Sequence, residues 1–400
     1  MTEAIHLWPE KPFRQGDQFV VSVTIEHANR ERQLLWYRLP ASQRAGLTGS
    51  CDAFTVAVIF LAMRQDGAVR VHGQVSPSLL RNLEEYQDIW ASWRPEIYRR
   101  VEIRADQEKE QQGANADLAV MGFSGGVDPA FTAWRHHQGQ AGSRARKPVA
   151  GVFVHGFDIP LAEPEAYARA AEKNRLMLSS LGMESIPMAT NFRELRASWE
   201  DAHVAGLASC LMLLQGRFRA GLIASSFPYP SLILPNGSNP VTDWLLSSRS
   251  FEIVHDGAAA HKIDKLREIY AWPEARKYMR TCWEGKHRDR NCCRCQKCVW
   301  TILIYRILGL ERPECFEHDI RDWEIIRMRQ NDMGSVLSTE RLALHAKTAG
   351  IRASWVRALR ISACINRLRL RFSRPGRIRA FARRIFRFFL PPFEDDPPAA

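Results

Sequence analysis

Leu118-Ala119-Val120-Met121-Gly122-Phe123-Ser124-Gly125-Gly126-Val127-Asp128 reads as an apolar strand, a glycine-rich turn and the opening of a helix. Glycine tolerates positive φ and carries no Cβ, so paired glycines between strand and helix let main-chain N–H groups close around an anion. The helix dipole adds partial positive charge there. The spacing is not the Walker pattern, which needs four residues between its glycines and then Lys-Ser/Thr. Outward from this turn, the pattern predicts a second strand over Val149 to Val154, running into His155-Gly156-Phe157-Asp158. A helix over Pro164 to Leu181, a strand over Ser185 to Ala189, a helix over Trp199 to Gly216 and a strand over Ala220 to Ser225 follow. This alternation predicts an α/β fold with a parallel sheet and helices on both faces, whose ligands bind beyond the carboxyl ends of the strands. Ser124, His155 to Asp158, Thr190-Asn191 and Ser225-Ser226 fall at those ends.

Further along, Cys282, Cys292, Cys295 and Cys298 have the spacing of four thiolates converging on one tetrahedral ion, with Zn²⁺ the default. Lys286, His287, Arg288, Arg290, Arg294 and Lys297 offset the negative charge of such a set and favour the thiolate. No open position for a catalytic water is evident, which favours a closed structural site. An iron–sulfur cluster or redox-active cysteines remain alternatives.

Together the turn and the cysteines resemble the PP-loop (N-type) ATP pyrophosphatase superfamily and, within it, the 7-cyano-7-deazaguanine synthase family, over about Leu118 to Leu310. The resemblance implies an adenine nucleotide alpha hydrolase-like (PP-loop) core. It also implies an ATP-dependent adenylating ligase that forms AMP and pyrophosphate and activates an acceptor, a carboxylate by preference, for amidation. Ser124, Gly125, Gly126, Val127 and Asp128 then form the phosphate loop. Val154, His155, Gly156 and Phe157 pass beside the adenine, although His155 and Asp158 are equally readable as loop polar residues. Cys282, Cys292, Cys295 and Cys298 fall on the zinc ligands, and Cys293 takes the place of a glycine. Ser124, Asp128 and Lys265 are the catalytic candidates: Asp128 suits Mg²⁺, a hard ion, while Lys265 and its neighbour Arg267 suit departing pyrophosphate. One departure matters. The family's loop ends in serine, and this chain has Pro129, which removes two donors yet fits the first turn of a helix. Two rival readings follow: a tRNA- or base-modifying sulfur transferase, and a non-catalytic nucleotide-binding module.

Four hundred residues with 46% hydrophobic content support a substantial core. The expected organisation is an N-terminal α+β unit over 1–104 and a polar linker over 105–116. The nucleotide-binding core over 117–235 comes next, then an acceptor-side and zinc-binding segment over 236–335 and an Arg-rich helical tail over 336–400. Strands are expected over Gln18 to Ile25, Leu34 to Arg38 and Ala68 to His72, and a helix over Ser78 to Trp93. Asn236 to Asp243 and Ser247 to Arg249 read as a polar loop lining the acceptor side or as solvated turns.

The longest strongly apolar stretch, Val204 to Leu214, is too short to cross a bilayer, and no basic-then-apolar leader opens the chain. A cytoplasmic protein, with clustered cysteines that hold metal, is the expectation. The net charge of +12 is uneven: Arg341 to Pro392 holds thirteen arginines and Lys347 with no acidic residue. On a helical wheel, 376–390 separates Ile378, Phe381, Ala382, Ile385, Phe386, Phe388 and Phe389 from Arg377, Arg379, Arg383, Arg384 and Arg387. Such a segment suits an anionic membrane surface at the inner face of the membrane. Packing on protein, or on RNA or another polyanion, are the alternatives; nucleic acid is the weakest because no RNA motif accompanies the arginines.

Overall fold

The computed structural model describes residues 5–65 and 67–372. The chain divides into two compact units, Met1–Asn291 and Cys292–Ala400.

The first unit opens with strands β1 (Ile5–Pro9), β2 (Phe13–Gln15), β3 (Gln18–Glu26) and β4 (Arg32–Pro40), helix α1 (Asp52–Gln65), strand β5 (Val69–Val75), helix α2 (Pro77–Trp93) and strand β6 (Ile103–Glu108). Then β7 (Ala119–Gly122), α3 (Val127–His137), β8 (Pro148–His155), α4 (Pro164–Ser180), β9 (Glu184–Thr190), α5 (Trp199–Met212), β10 (Ala220–Ala224), β11 (Glu252–Asp256), α6 (Lys262–Ile269) and α7 (Pro273–Tyr278) follow. The strands join one sheet in the order β11-β10-β7-β8-β9-β4-β3-β1-β5-β6, with β2 on β3. From β11 to β9 every pairing is parallel. Strands such as β7 and β10 are apolar throughout because helices cover both faces. Val152 and Val154 of β8 join the main core with Ala205, Ala208 and Leu211 of α5, while Phe153 packs with Ala166 and Ala170 of α4. The pleat of one strand thus feeds two helical layers.

The structure redraws the expected N-terminal organisation. Tyr37 pairs with Thr190 and Arg38 with Ala189, so β4 runs antiparallel to β9 and the N-terminal strands extend the core sheet. Residues 105–108, expected as linker, lie in β6, paired with β5. Helix α1, which the sequence pattern did not reveal, is buried from Asp52 to Met63 on every side and so has no polar stripe to mark its period.

The second unit contains α8 (Gln296–Ile307), α9 (Asp322–Arg327), α10 (Met333–Thr348) and α11 (Ser354–Phe372). Asp332 caps α10 by accepting from the Ser335 N–H at 2.8 Å. Asn366 of α11 accepts from the Gln330 N–H at 3.1 Å and donates to Met328 O at 2.8 Å. Residues 336–372 are therefore two packed helices, and 376–390 lie outside the described residues. Among the described residues no helix is long and apolar enough to cross a membrane.

Candidate functional site

Strand β7 has β8 on one side and β10 on the other, so the connection leaving the carboxyl end of β7 runs toward β8 while the one leaving the carboxyl end of β10 runs the opposite way, toward β11. This is a topological switch point, where open α/β sheets bind ligands. The Ser124-Gly125-Gly126 turn occupies it. Gly125 has φ +74°, and a Cβ there would stand 2.2 Å from Oδ1 of Asn174, a buried α4 residue whose Nδ2 donates to Phe123 O at 3.2 Å. Only glycine fits. Gly126 is the N-cap of α3 and no side chain caps this end, leaving first-turn N–H groups without intrahelical acceptors. Pro129, third in the helix, has no N–H to offer.

Two buried cations meet this loop. Lys265 of α6 has a side chain only 2% exposed; its Nζ donates to Asp128 Oδ1 at 2.7 Å and to Ser225 O at 2.5 Å. It thereby ties the start of α3 to the end of β10 across the switch point. Arg267, in contrast, is paired with Asp264 on the surface at 2.8 Å. The second cation, Arg280, has no signal in the sequence beyond lying two residues before Cys282. Its N–H donates to Gly125 O at 2.8 Å, its Nη2 to Ser124 O at 3.4 Å and its Nη1 to Arg288 O at 3.3 Å. Asp158 Oδ2 lies 3.5 Å from the same guanidinium.

The end of β8 is a close-packed turn. Gly156 has φ +100°, and a Cβ there would meet Thr190 O at 2.1 Å. His155 is assigned the tautomer that donates from Nε2 to Pro160 O at 2.8 Å, and its ring stacks on Tyr167 at 4.4 Å. Burial lowers its pKa, with the Arg38 charge adding to that and the Pro160 bond opposing it, so the ring is neutral at neutral pH. Phe157 packs edge-on to Phe192 and Trp199. The side chains of His155 and Phe157 thus hold the turn in place, while Asp158 faces Arg280.

Behind the loop, Asp256 at the end of β11 accepts from Thr132 Oγ1 of α3 at 2.8 Å, with Arg135 and His136 at 3.6 and 3.4 Å. Burial pushes this carboxyl up, but His136, Arg135 and Thr132 outweigh it and hold it below the ordinary value. The 236–249 loop is largely turned inward. Asp243, fully buried, accepts from the Asn239 N–H at 3.0 Å and from His255 Nδ1 at 2.7 Å, which makes it a scaffold residue of the loop. A groove of about 730 Å³ lies elsewhere, along β6, with Arg100–Glu84 and Arg104–Glu102 pairs among its lining charges.

Cys282, Cys292, Cys295 and Cys298 bring their sulfurs within 4.8 Å of one another. Four thiolates about 2.3 Å from Zn²⁺ stand about 3.8 Å apart in a tetrahedron, and Cys292 and Cys298 lie at 4.0 Å. The set could hold a metal ion such as zinc. Cys292 Sγ accepts from the Cys295 N–H at 3.3 Å, and Cys295 is the N-cap of α8, so helix-end charge favours the thiolates. Cys293 has φ +58°, a conformation that suits glycine, and is not among the four. Burial raises its pKa and keeps it a thiol.

Compared with known proteins, the chain matches no family model, no curated protein and no solved structure.

Proposed function

We propose that this chain is an ATP-dependent adenylating enzyme of the PP-loop type, releasing AMP and pyrophosphate while activating an acceptor, by preference a carboxylate, for amidation. The observation that carries the reading is the Ser124-Gly125-Gly126 turn at the β7/β10 switch point, with Lys265 and Arg280 buried against it. The free N–H groups of Gly126, Val127 and Asp128 suit the phosphate chain of ATP. Val154 to Phe157, at the end of the neighbouring strand, suit the adenine through main chain. In the reaction an acceptor carboxylate oxygen attacks the α-phosphorus and pyrophosphate leaves. Ammonia or an amine then attacks the acyl carbon, AMP departs, and the nitrogen loses a proton to give the amide. Lys265 would follow the charge that builds on pyrophosphate, a preorganised cation in a water-poor site. Asp128, its side chain 29% exposed, could take Mg²⁺ through the oxygen that Lys265 does not occupy. Zinc, held by the four cysteines as a closed set, would order the 282–298 segment that begins just after Arg280.

Pro129 favours a second reading, a nucleotide-binding module that does not turn over, because it removes the N–H and hydroxyl at one position of the loop. The sulfur-transfer reading has less support, since all four clustered thiols suit one closed site.

The test is release of AMP and pyrophosphate from ATP on addition of small carboxylic acids with ammonium. Acid-dependent release supports the enzyme. Nucleotide binding without release over a broad panel supports the module.

A further inference from the structure

Helix α11 buries Trp355, Val356, Ala358, Leu359, Ser362, Ala363 and Asn366 against its own unit. At about 100° per residue these positions fill one side of the helix, and the side that remains is amphipathic. Ile361, Ile365, Leu368 and Phe372 recur at spacings of four, three and four, a single stripe. Ile361 is 47%, Leu368 42% and Phe372 38% exposed. Beside that stripe run Arg357, Arg360, Arg367 and Arg371, all exposed. Arg367 reaches Glu340 of α10 at 2.6 Å; none of the other three has a carboxylate partner among the described residues. No acidic residue occurs from Arg341 to the end of the helix.

We propose that this face of α11 docks on an anionic lipid surface, with Ile361, Leu368 and Phe372 entering the headgroup boundary and Arg357, Arg360 and Arg371 meeting lipid phosphates and carboxylates. Charge selects the occupant. A second copy of the chain would bring one row of arginines against another. Single-stranded RNA needs stacking rings, and of the four residues in the stripe only Phe372 carries one. The apolar and basic halves lie side by side on the solvent face, as an interface between headgroups and acyl chains requires, and the same pattern recurs in the sequence of 376–390.

The test is co-sedimentation of the full chain with vesicles of phosphatidylcholine alone or with about one-third phosphatidylserine. Partitioning to the anionic vesicles only, weakening as salt rises, is expected. In the full chain, the triple change Arg357→Gln, Arg360→Gln, Arg371→Gln should lower partitioning at least about tenfold, since each arginine near the surface is worth about fivefold. Ile361→Ser, Leu368→Ser, Phe372→Ser should lower it comparably, with unchanged far-ultraviolet circular dichroism. Equal binding to neutral vesicles would overturn the proposal. So would wild-type binding by both triple variants, which would assign the attraction to residues after 372, or retention of RNA or an acidic protein without vesicle binding.

Discussion

Lys265 Nζ lies 2.7 Å from Asp128 Oδ1 and 2.5 Å from Ser225 O, so one buried ammonium joins the helix after β7 to the end of β10. That position is the crevice where the strand order reverses. Its side chain is only 2% exposed, so that charge is nearly sealed from water.

Lys265→Met leaves Asp128 without its cation and Ser225 O without its donor. Breaking a fully buried pair costs about 3–5 kcal/mol; Asp128 is partly exposed, so about 1–2 kcal/mol is expected in urea unfolding. ATP affinity should fall at least about tenfold. Adding Asp128→Asn should recover part of the stability and none of the affinity.

Gly125→Ala should fail for two separable reasons. Left-handed backbone costs an L-residue about 1–2 kcal/mol, and the new Cβ meets Asn174 Oδ1. Gly125→Ala with Asn174→Ala should relieve the second and keep the first. The double variant is expected to melt higher than Gly125→Ala alone and lower than Asn174→Ala alone.

At the cysteine cluster, the wild type is expected to purify with about one equivalent of zinc, as one four-ligand site holds. Cys298→Ser should abolish it, and chelators should lower the melting temperature of the wild type. Cys293→Gly should keep the metal and change stability by less than about 1 kcal/mol, because glycine suits the left-handed position.

Asp256 supplies a pH signature. Its carboxyl is held below the ordinary value, so its contribution is complete above the unfolded pKa of about 3.9 and fades as pH falls through the lower folded value. Asp256→Asn should therefore be destabilised at pH 7, and its deficit against wild type should shrink below about pH 4. Denaturant unfolding across pH 3 to 7 measures this.

Residues 118–128 reveal their strand, turn and helix locally, because glycine pairs and apolar runs are local signals. The cysteine spacing anticipates its cluster for the same reason. What stayed hidden is long-range. The union of N-terminal strands with the core rests on Tyr37 meeting Thr190 and Arg38 meeting Ala189, more than 150 residues apart in sequence. Arg280 looks like any arginine in a basic chain until its backbone is seen to pair with Gly125. Asp243 has the polar neighbours of a surface turn, yet His255, on a strand twelve residues later, draws it inside.

Calorimetric titration of the zinc-loaded protein with Mg²⁺ and ATP tests most directly whether the Gly125 turn is a phosphate site. The account predicts saturable one-to-one binding with a dissociation constant at or below about 1 mM, lost in Lys265→Met that remains folded. A folded, metal-replete protein that binds no ATP, or binds it equally well without Lys265, contradicts it.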